Sequence, residues 1–455
     1  MSLPCKTAAR NAAQRCRFLW TLTAVCWSMT ITSISVRADD WPQWGGPQRD
    51  LCWRETGLVD ELSRDEKGFL PRMWSTPIAE GYSGPSVAEN RVFITDFAER
   101  VGNRGQERIL CLDVETGKVN WSQQRDVQYT VSYPAGPRVT PTVDGDRVYT
   151  IGAMGHLDCL QVADGKILWS KNFERDFGTS LPVWGMASPP LIDGDQLITL
   201  VGGAKGATVV SFNKLTGQEL WRAIDDPQVG YCPPVIYTFG KTRQLIIWTP
   251  SQVASLDPSN GKVYWTVPFE VKAGLTIPMP RQLGDRLFLT SFYNGPLMLQ
   301  ISDDPPAAKV LWRGNSNSET KTDKLHSIMP TPIVNEEQIF GVCSYGQLRA
   351  LDTKTGERLW ETLDATGSGR WWNAFLIPTG TPQNAERVFI HNEQGDLILA
   401  RLDKAGYHEQ SRSKLVEPTR PVNRRMTIWS HPAFAKQSVF ARNDQEIVRV
   451  FLGKR

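Results

Sequence analysis

The chain has 455 residues, of which 10% are aromatic and 22% charged, with 37 glycines and a formal net charge of +3. Residues 1–38 hold five basic residues and no acidic one, so the remainder carries a net charge of −2. That balance excludes an electrostatic argument for nucleic acid or for an anionic membrane surface.

Lys6, Arg10, Arg15 and Arg17 precede an apolar run from Phe18 to Val36, and Val36-Arg37-Ala38 fits a small-residue cleavage site. Residues 1–38 are therefore expected to be a secretory signal peptide, with an uncleaved anchor as the alternative. Cys26 follows Val25, which does not suit a lipoprotein site. The expectation is a periplasmic or secreted protein with no stable membrane insertion after cleavage. Residues 39–82 form an N-terminal segment, and residues 83–455 the main domain.

From Trp74 onward one pattern recurs. Trp74, Trp121, Trp169, Trp221, Trp265, Trp312 and Trp360 are separated by 47, 48, 52, 44, 47 and 48 residues. A period this regular marks one supersecondary unit copied along the chain. Leu112 to Trp121 reads LDVETGKVNW, and Leu351 to Trp360 reads LDTKTGERLW. Each copy is a strand, a tight turn and a second strand, with glycine supplying the positive φ that the hairpin needs. Stretches such as Pro141-Thr-Val-Asp-Gly-Asp-Arg-Val-Tyr-Thr add two earlier strands around an Asp-Gly turn. Four antiparallel strands in about 47 residues fit a propeller blade. Pro85, Pro141, Pro190, Pro280, Pro332 and Pro432 recur at the start of the first strand. Proline cannot donate to a ladder, which places that strand on the inner edge, along the axial channel.

First strands are expected near Ser83, Val139, Ala187, Cys232, Ile277, Met329, Asn373 and Ser430. The fold class is thus all-β, an eight-bladed β-propeller of four-stranded antiparallel blades. Seven blades would follow if the weak region from Trp371 to Gln410 were an insertion. Gln410 stands where the seventh unit should have its tryptophan, and the eighth unit stops at Phe451 without an outer strand. The stretch around Trp74 resembles an outer strand with no partner upstream, so it is expected to close the last blade.

Cys52, Cys111, Cys159, Cys232 and Cys343 show no CxxC spacing, and the five histidines show no metal-ligand spacing. The cysteines are expected to be buried thiols, and no metal site is expected.

The repeated Leu-Asp-x-x-Thr-Gly-Lys-x-x-Trp unit resembles the repeats of the pyrroloquinoline-quinone-type (PQQ-like) β-propeller family, from Trp41 to about Leu452. The opening Asp40-Trp41-Pro-Gln-Trp44-Gly-Gly-Pro resembles a secreted bacterial branch. The resemblance implies that the seven tryptophans dock each blade on its neighbour. Some relatives are dehydrogenases that hold PQQ on a tryptophan, and in the alcohol dehydrogenases on a disulfide of adjacent cysteines. Ca²⁺ and a catalytic carboxylate complete their site. Another relative is a lipoprotein scaffold of outer-membrane barrel assembly. This sequence has neither the adjacent cysteines nor the lipobox.

Residues just before the inner strands converge near the axis of a propeller, on the face with the longer loops: Ser122 to Arg138, Ser170 to Gly185, Arg313 to Ser327 and Glu361 to Trp372. The candidate ligand-binding residues there are Tyr82, Arg138, Trp184, Tyr231, His326, Trp372 and His431, with Arg442 and Asn443 of the last blade beside them. Arg138 can pair with a carboxylate, and the tryptophans can stack on a flat ring or sugar. No phosphate loop, nucleophile elbow or HExxH occurs. The expected function is a monomeric binding or scaffolding propeller for a protein, small molecule or carbohydrate. The alternative is a PQQ- and Ca²⁺-dependent alcohol or sugar dehydrogenase.

Overall fold

The computed structural model describes residues 39–454; the predicted signal peptide lies outside the described residues. Eight four-stranded antiparallel sheets form the blades of a propeller. The inner strands begin at Ser86, Thr142, Leu191, Val235, Arg281, Ile333, Ala374 and Ala433, one to four residues later than expected. The reason is local: Pro85, Pro141, Pro190, Pro280, Pro332 and Pro432 each stand immediately before one of these strands. A residue without an N–H cannot start the ladder, so pairing begins one residue on. A second correction concerns Ser122–Gln128, expected as loop. It is strand, because the outer strand Val119–Gln128 follows the long third strand Arg104–Asp113 to its far end.

Within a blade, a large residue of the second strand, one of the third and the tryptophan of the fourth stand in a row. Phe93, Cys111 and Trp121 form this row in the first blade; Phe340, Ala350 and Trp360 form it in the sixth. A β-bulge directly before the tryptophan interrupts the register in these blades and increases the local twist. The indole then reaches the next blade. Trp74, Trp121, Trp169, Trp312 and Trp360 donate Nε1–H to the backbone oxygens of Val114, Val162, Lys214, Thr353 and Asp403, each in the following blade's outer hairpin. Gly217 in one such hairpin has φ +71°, and a Cβ there would lie 2.8 Å from the Trp169 ring. Trp221 and Trp265 instead donate to Gln196 and Gln244 of their own blades. The five described cysteines are buried free thiols; Cys111 and Cys159 lie on third strands, opposite Trp121 and Trp169.

The seventh blade departs from this pattern. Its bulge residue is Gln410, and the tryptophan position is Ser411, which pairs with Leu399. Ser411 Oγ accepts the amide of Leu62, and Ser413 Oγ donates to the Ser63 carbonyl. The N-terminal segment therefore covers the place an indole would fill. The next blade also offers no outer hairpin to dock on, since its third strand Glu446–Phe451 ends the chain's sheet and its outer strand is Arg72–Pro77. Trp74 closes that blade, opposite Arg449, with its ring 6.0 Å from Phe440.

Residues ahead of this strand cross the axial channel. Trp41 exchanges two backbone hydrogen bonds with Val87, and Pro42 accepts from Val143. Arg49 donates to the carbonyls of Pro189, Pro190 and Pro234, and Arg281 donates to Asp50 O. Trp53 is fully buried between Phe389 and Phe434, at ring distances of 5.2 and 4.8 Å. This segment thus reaches inner strands of most blades and plugs the channel. No helix among the described residues is long and apolar enough to cross a membrane.

Trp169 is half-buried, so Trp169→Ala should cost about 2–3 kcal/mol in chemical denaturation, below the roughly 3–5 kcal/mol of a fully buried tryptophan; no loss would contradict blade docking. Ser411→Trp, which restores the repeat, should lower the melting temperature because Leu62 and Ser63 occupy that space. A gain in stability would contradict the covering role of the N-terminal segment.

Candidate functional site

On the loop-rich side of the plug lies a cavity of about 220 Å³. Trp44 and Leu51 of the plug form part of its lining. The rest comes mainly from residues that lead into the inner strands, which is why side chains far apart in sequence meet. Tyr82, Arg138, Trp184, Tyr231 and His431 line the cavity together with Tyr133, Thr140, Trp371, Phe375 and Trp429.

Four expected residues do not line it. His326 is buried, with Nδ1 facing the Phe292 carbonyl at 3.2 Å and Nε2 facing Asp323 at 3.1 Å. Trp372 is buried against Gly346 and Gly367, behind the wall. Its neighbour Trp371 faces the cavity instead, on a backbone with φ +65°. Arg442 is buried and donates to the carbonyls of Thr95, Ala79 and Asn443, tying the last blade to the first. Asn443 shapes the adjacent turn by accepting the amides of Gln445 and Glu446.

Arg138 is half-buried. Its guanidinium donates to the carbonyls of Ser132 at 2.9 Å, Tyr133 at 2.7 Å and Gly136. It lies 5.0 Å from the centre of the Tyr82 ring, and among the described residues it makes no ion pair. Burial lowers its pKa from the ordinary value, yet an arginine keeps its proton in proteins. Tyr82 also carries Arg420 on its ring at 4.1 Å and accepts from it at 3.1 Å; Arg420 is neutralised by Asp444. Burial pushes Tyr231 up to about 12 and His431 down to about 4. His431 Nε2 lies 2.8 Å from Thr140 Oγ1 and Nδ1 faces the Pro432 carbonyl, so a neutral ring with Nδ1–H satisfies both.

Trp429 is set by its neighbours. Its indole donates to the buried Glu393 at 3.1 Å, and Arg425 pairs with the same carboxylate. Arg425 belongs to a hairpin, Arg420–Val422 and Arg425–Thr427, inserted before the last blade. Trp429, in the run Ile-Trp-Ser-His before the last inner strand, was legible by position. Trp44 was not, because nothing local marks a plug.

The quinone and Ca²⁺ implied by the resemblance need a stacking ring, oxygen ligands and, in the alcohol dehydrogenases, a disulfide. The cavity supplies rings. Among the described residues its wall holds no Asp, Glu, Asn or Gln, no three metal-ligating side chains converge, and the cysteines are free. The residues present do not fit that group.

A family profile described as "outer membrane protein assembly factor BamB" matches residues 71–228, 128–275 and 251–451. The chain belongs to this PQQ-like propeller-repeat family. Among solved structures, BamB from Moraxella catarrhalis is similar, with a TM-score of 0.53 and 13% identity over 84% of this chain and 98% of that one. The quinohemoprotein alcohol dehydrogenase from Comamonas testosteroni aligns with a TM-score of 0.57 and 13% identity, over 91% of this chain and 81% of that one. At such identity the likeness is one of fold. No curated protein matches the sequence.

Both His431 and His391 are held near 4, from an ordinary value of 6.5, by burial. A depressed histidine contributes stability that is present above about pH 6.5 and is lost as pH falls toward 4, where the unfolded state binds the proton first. The melting temperature should therefore fall over that window. His391→Gln with His431→Gln should make the fall shallower, as read by calorimetry across pH; an unchanged slope would contradict the neutral-ring assignment.

Proposed function

We propose that this chain is an exported binding or scaffolding propeller that presents the cavity and its loop-rich face to a ligand or partner, with no acid–base chemistry of its own. The observation that carries this reading is the cavity wall. Among the described residues it holds no Asp, Glu, Lys or Cys, and burial pushes Tyr231 up to about 12 and His431 down to about 4, away from the neutral range in which a general acid or base works. The signal-like residues 1–38 support export, and the family relationship to an assembly factor supports a protein partner on the loop-rich face.

The test is dye-linked oxidation with PQQ and Ca²⁺ added to the purified protein. The expected result is no alcohol- or sugar-dependent dye reduction above the protein-free control. Saturable, substrate-dependent turnover would overturn the proposal in favour of a dehydrogenase.

A further inference from the structure

The charges along the propeller axis are unbalanced. Arg138 on the cavity wall, and Arg49 and Arg281 in the channel below it, donate to backbone carbonyls, and among the described residues none of them has a carboxylate within 4 Å. The carboxylate nearest in influence to Arg138 is Glu107, which is buried and already accepts from Tyr129 and from the Ala153 amide. Arg138 uses three of its five N–H groups on its own loop. Nε and one hydrogen of Nη1 have no protein acceptor, on a side chain that lines the cavity. A cation kept in an apolar, ring-lined space without a counter-charge is costly unless something else supplies the charge.

The rings around it are arranged rather than scattered. Tyr133, Trp371 and Trp429 come from three different blade connections and meet at centroid distances of 5.9, 6.1 and 6.4 Å. Trp184 and Tyr231 form a second pair 5.8 Å apart. Tyr133 and Trp371 both hold a left-handed backbone, at φ +53° and +65°, which bulky side chains rarely adopt and which tends to persist at ligand sites. The Trp371 indole N–H is also buried without an acceptor.

Resting on the reading of this cavity as a ligand site, we infer that it takes a flat, unsaturated organic molecule bearing a single acidic group, such as an aromatic carboxylate. The anion pairs with Arg138 and the ring lies among Tyr133, Trp371 and Trp429. Size and charge both set limits. A cavity of about 220 Å³ is below the roughly 300–1,000 Å³ usual for drug-sized ligands, which suits one or two fused rings. A molecule with several acid groups would press the extra charges against apolar wall with no partner.

Isothermal titration calorimetry with 2-naphthoate, 2-naphthamide and cyclohexanecarboxylate tests this. The acid should bind the purified protein about ten-fold tighter than the amide, the scale of one charged hydrogen-bonded contact, and tighter than the saturated acid. Arg138→Gln should abolish the preference for acid over amide while still binding the amide, and Arg138→Lys should keep part of it; a melting curve checks that both fold. Equal binding of acid and amide by the unmodified protein overturns the charge assignment and leaves the cavity reading intact. Equal binding of naphthoate and cyclohexanecarboxylate overturns the ring assignment. Failure of the folded protein to bind any of the three overturns both this inference and the reading of the cavity as a ligand site.

Discussion

A propeller is a ring of sheets around a central channel, and here the last blade lacks an outer strand of its own while the channel would otherwise stand open. In this chain one stretch of sequence meets both needs. The strand Arg72–Pro77 supplies the missing outer edge of the last blade, which removes an open ladder of N–H and C=O groups. The residues before it fill the axis, with Trp53 wedged between the seventh and eighth blades and Arg49 capping proline carbonyls. The largest hydrophobic cluster joins this segment to the seventh, eighth and first blades. It lies where the ring would otherwise part.

The same arrangement decides where a ligand site can be. With the channel plugged by Trp44 and Leu51, the axial space open to a ligand is a shallow cavity on the loop-rich side. Its chemistry then follows from which side chains precede the inner strands. Those chains deliver rings and one uncompensated cation, while the nearby carboxylates are engaged: Asp444 by Arg420, Glu393 by Arg425, and Glu319 by Arg370. These pairs leave Arg138 as the arginine of the cavity wall without a carboxylate partner among the described residues.

Much of this was legible in the residues, for identifiable reasons. The tryptophan period and the Thr-Gly turns specify blades because both answer to short-range geometry, and the recurrent prolines mark the inner edge because they lack a donor. Trp74 could be assigned to the last blade because it had no upstream partner. The reading differs from the structure at Trp371 and Trp372 because the backbone turns there: Trp371 has a left-handed φ and its ring lines the cavity, while Trp372 is buried behind the wall. His326 and Arg442 stood at expected axial positions, but each turns back onto backbone carbonyls of an adjacent blade or strand end. The plug was invisible because Trp41 to Trp53 has no periodicity of its own; its conformation is set by contacts with residues up to several hundred positions away. Counting from the turn glycine points to Gln410 as the tryptophan position, but the hairpin of the seventh blade differs in length, so Gln410 is the bulge and Ser411 stands in that place.

The central claim is that the N-terminal segment belongs to the fold as fully as the blades do. Amide hydrogen exchange on the intact protein measures this directly. The account predicts that the amides of Trp41, Trp53 and Leu70, and those of the strand Arg72–Pro77 that face Glu446–Phe451, all hydrogen-bonded within the ring, exchange as slowly as those of the blade interiors. Fast exchange across residues 41–77 beside protected blades would contradict it.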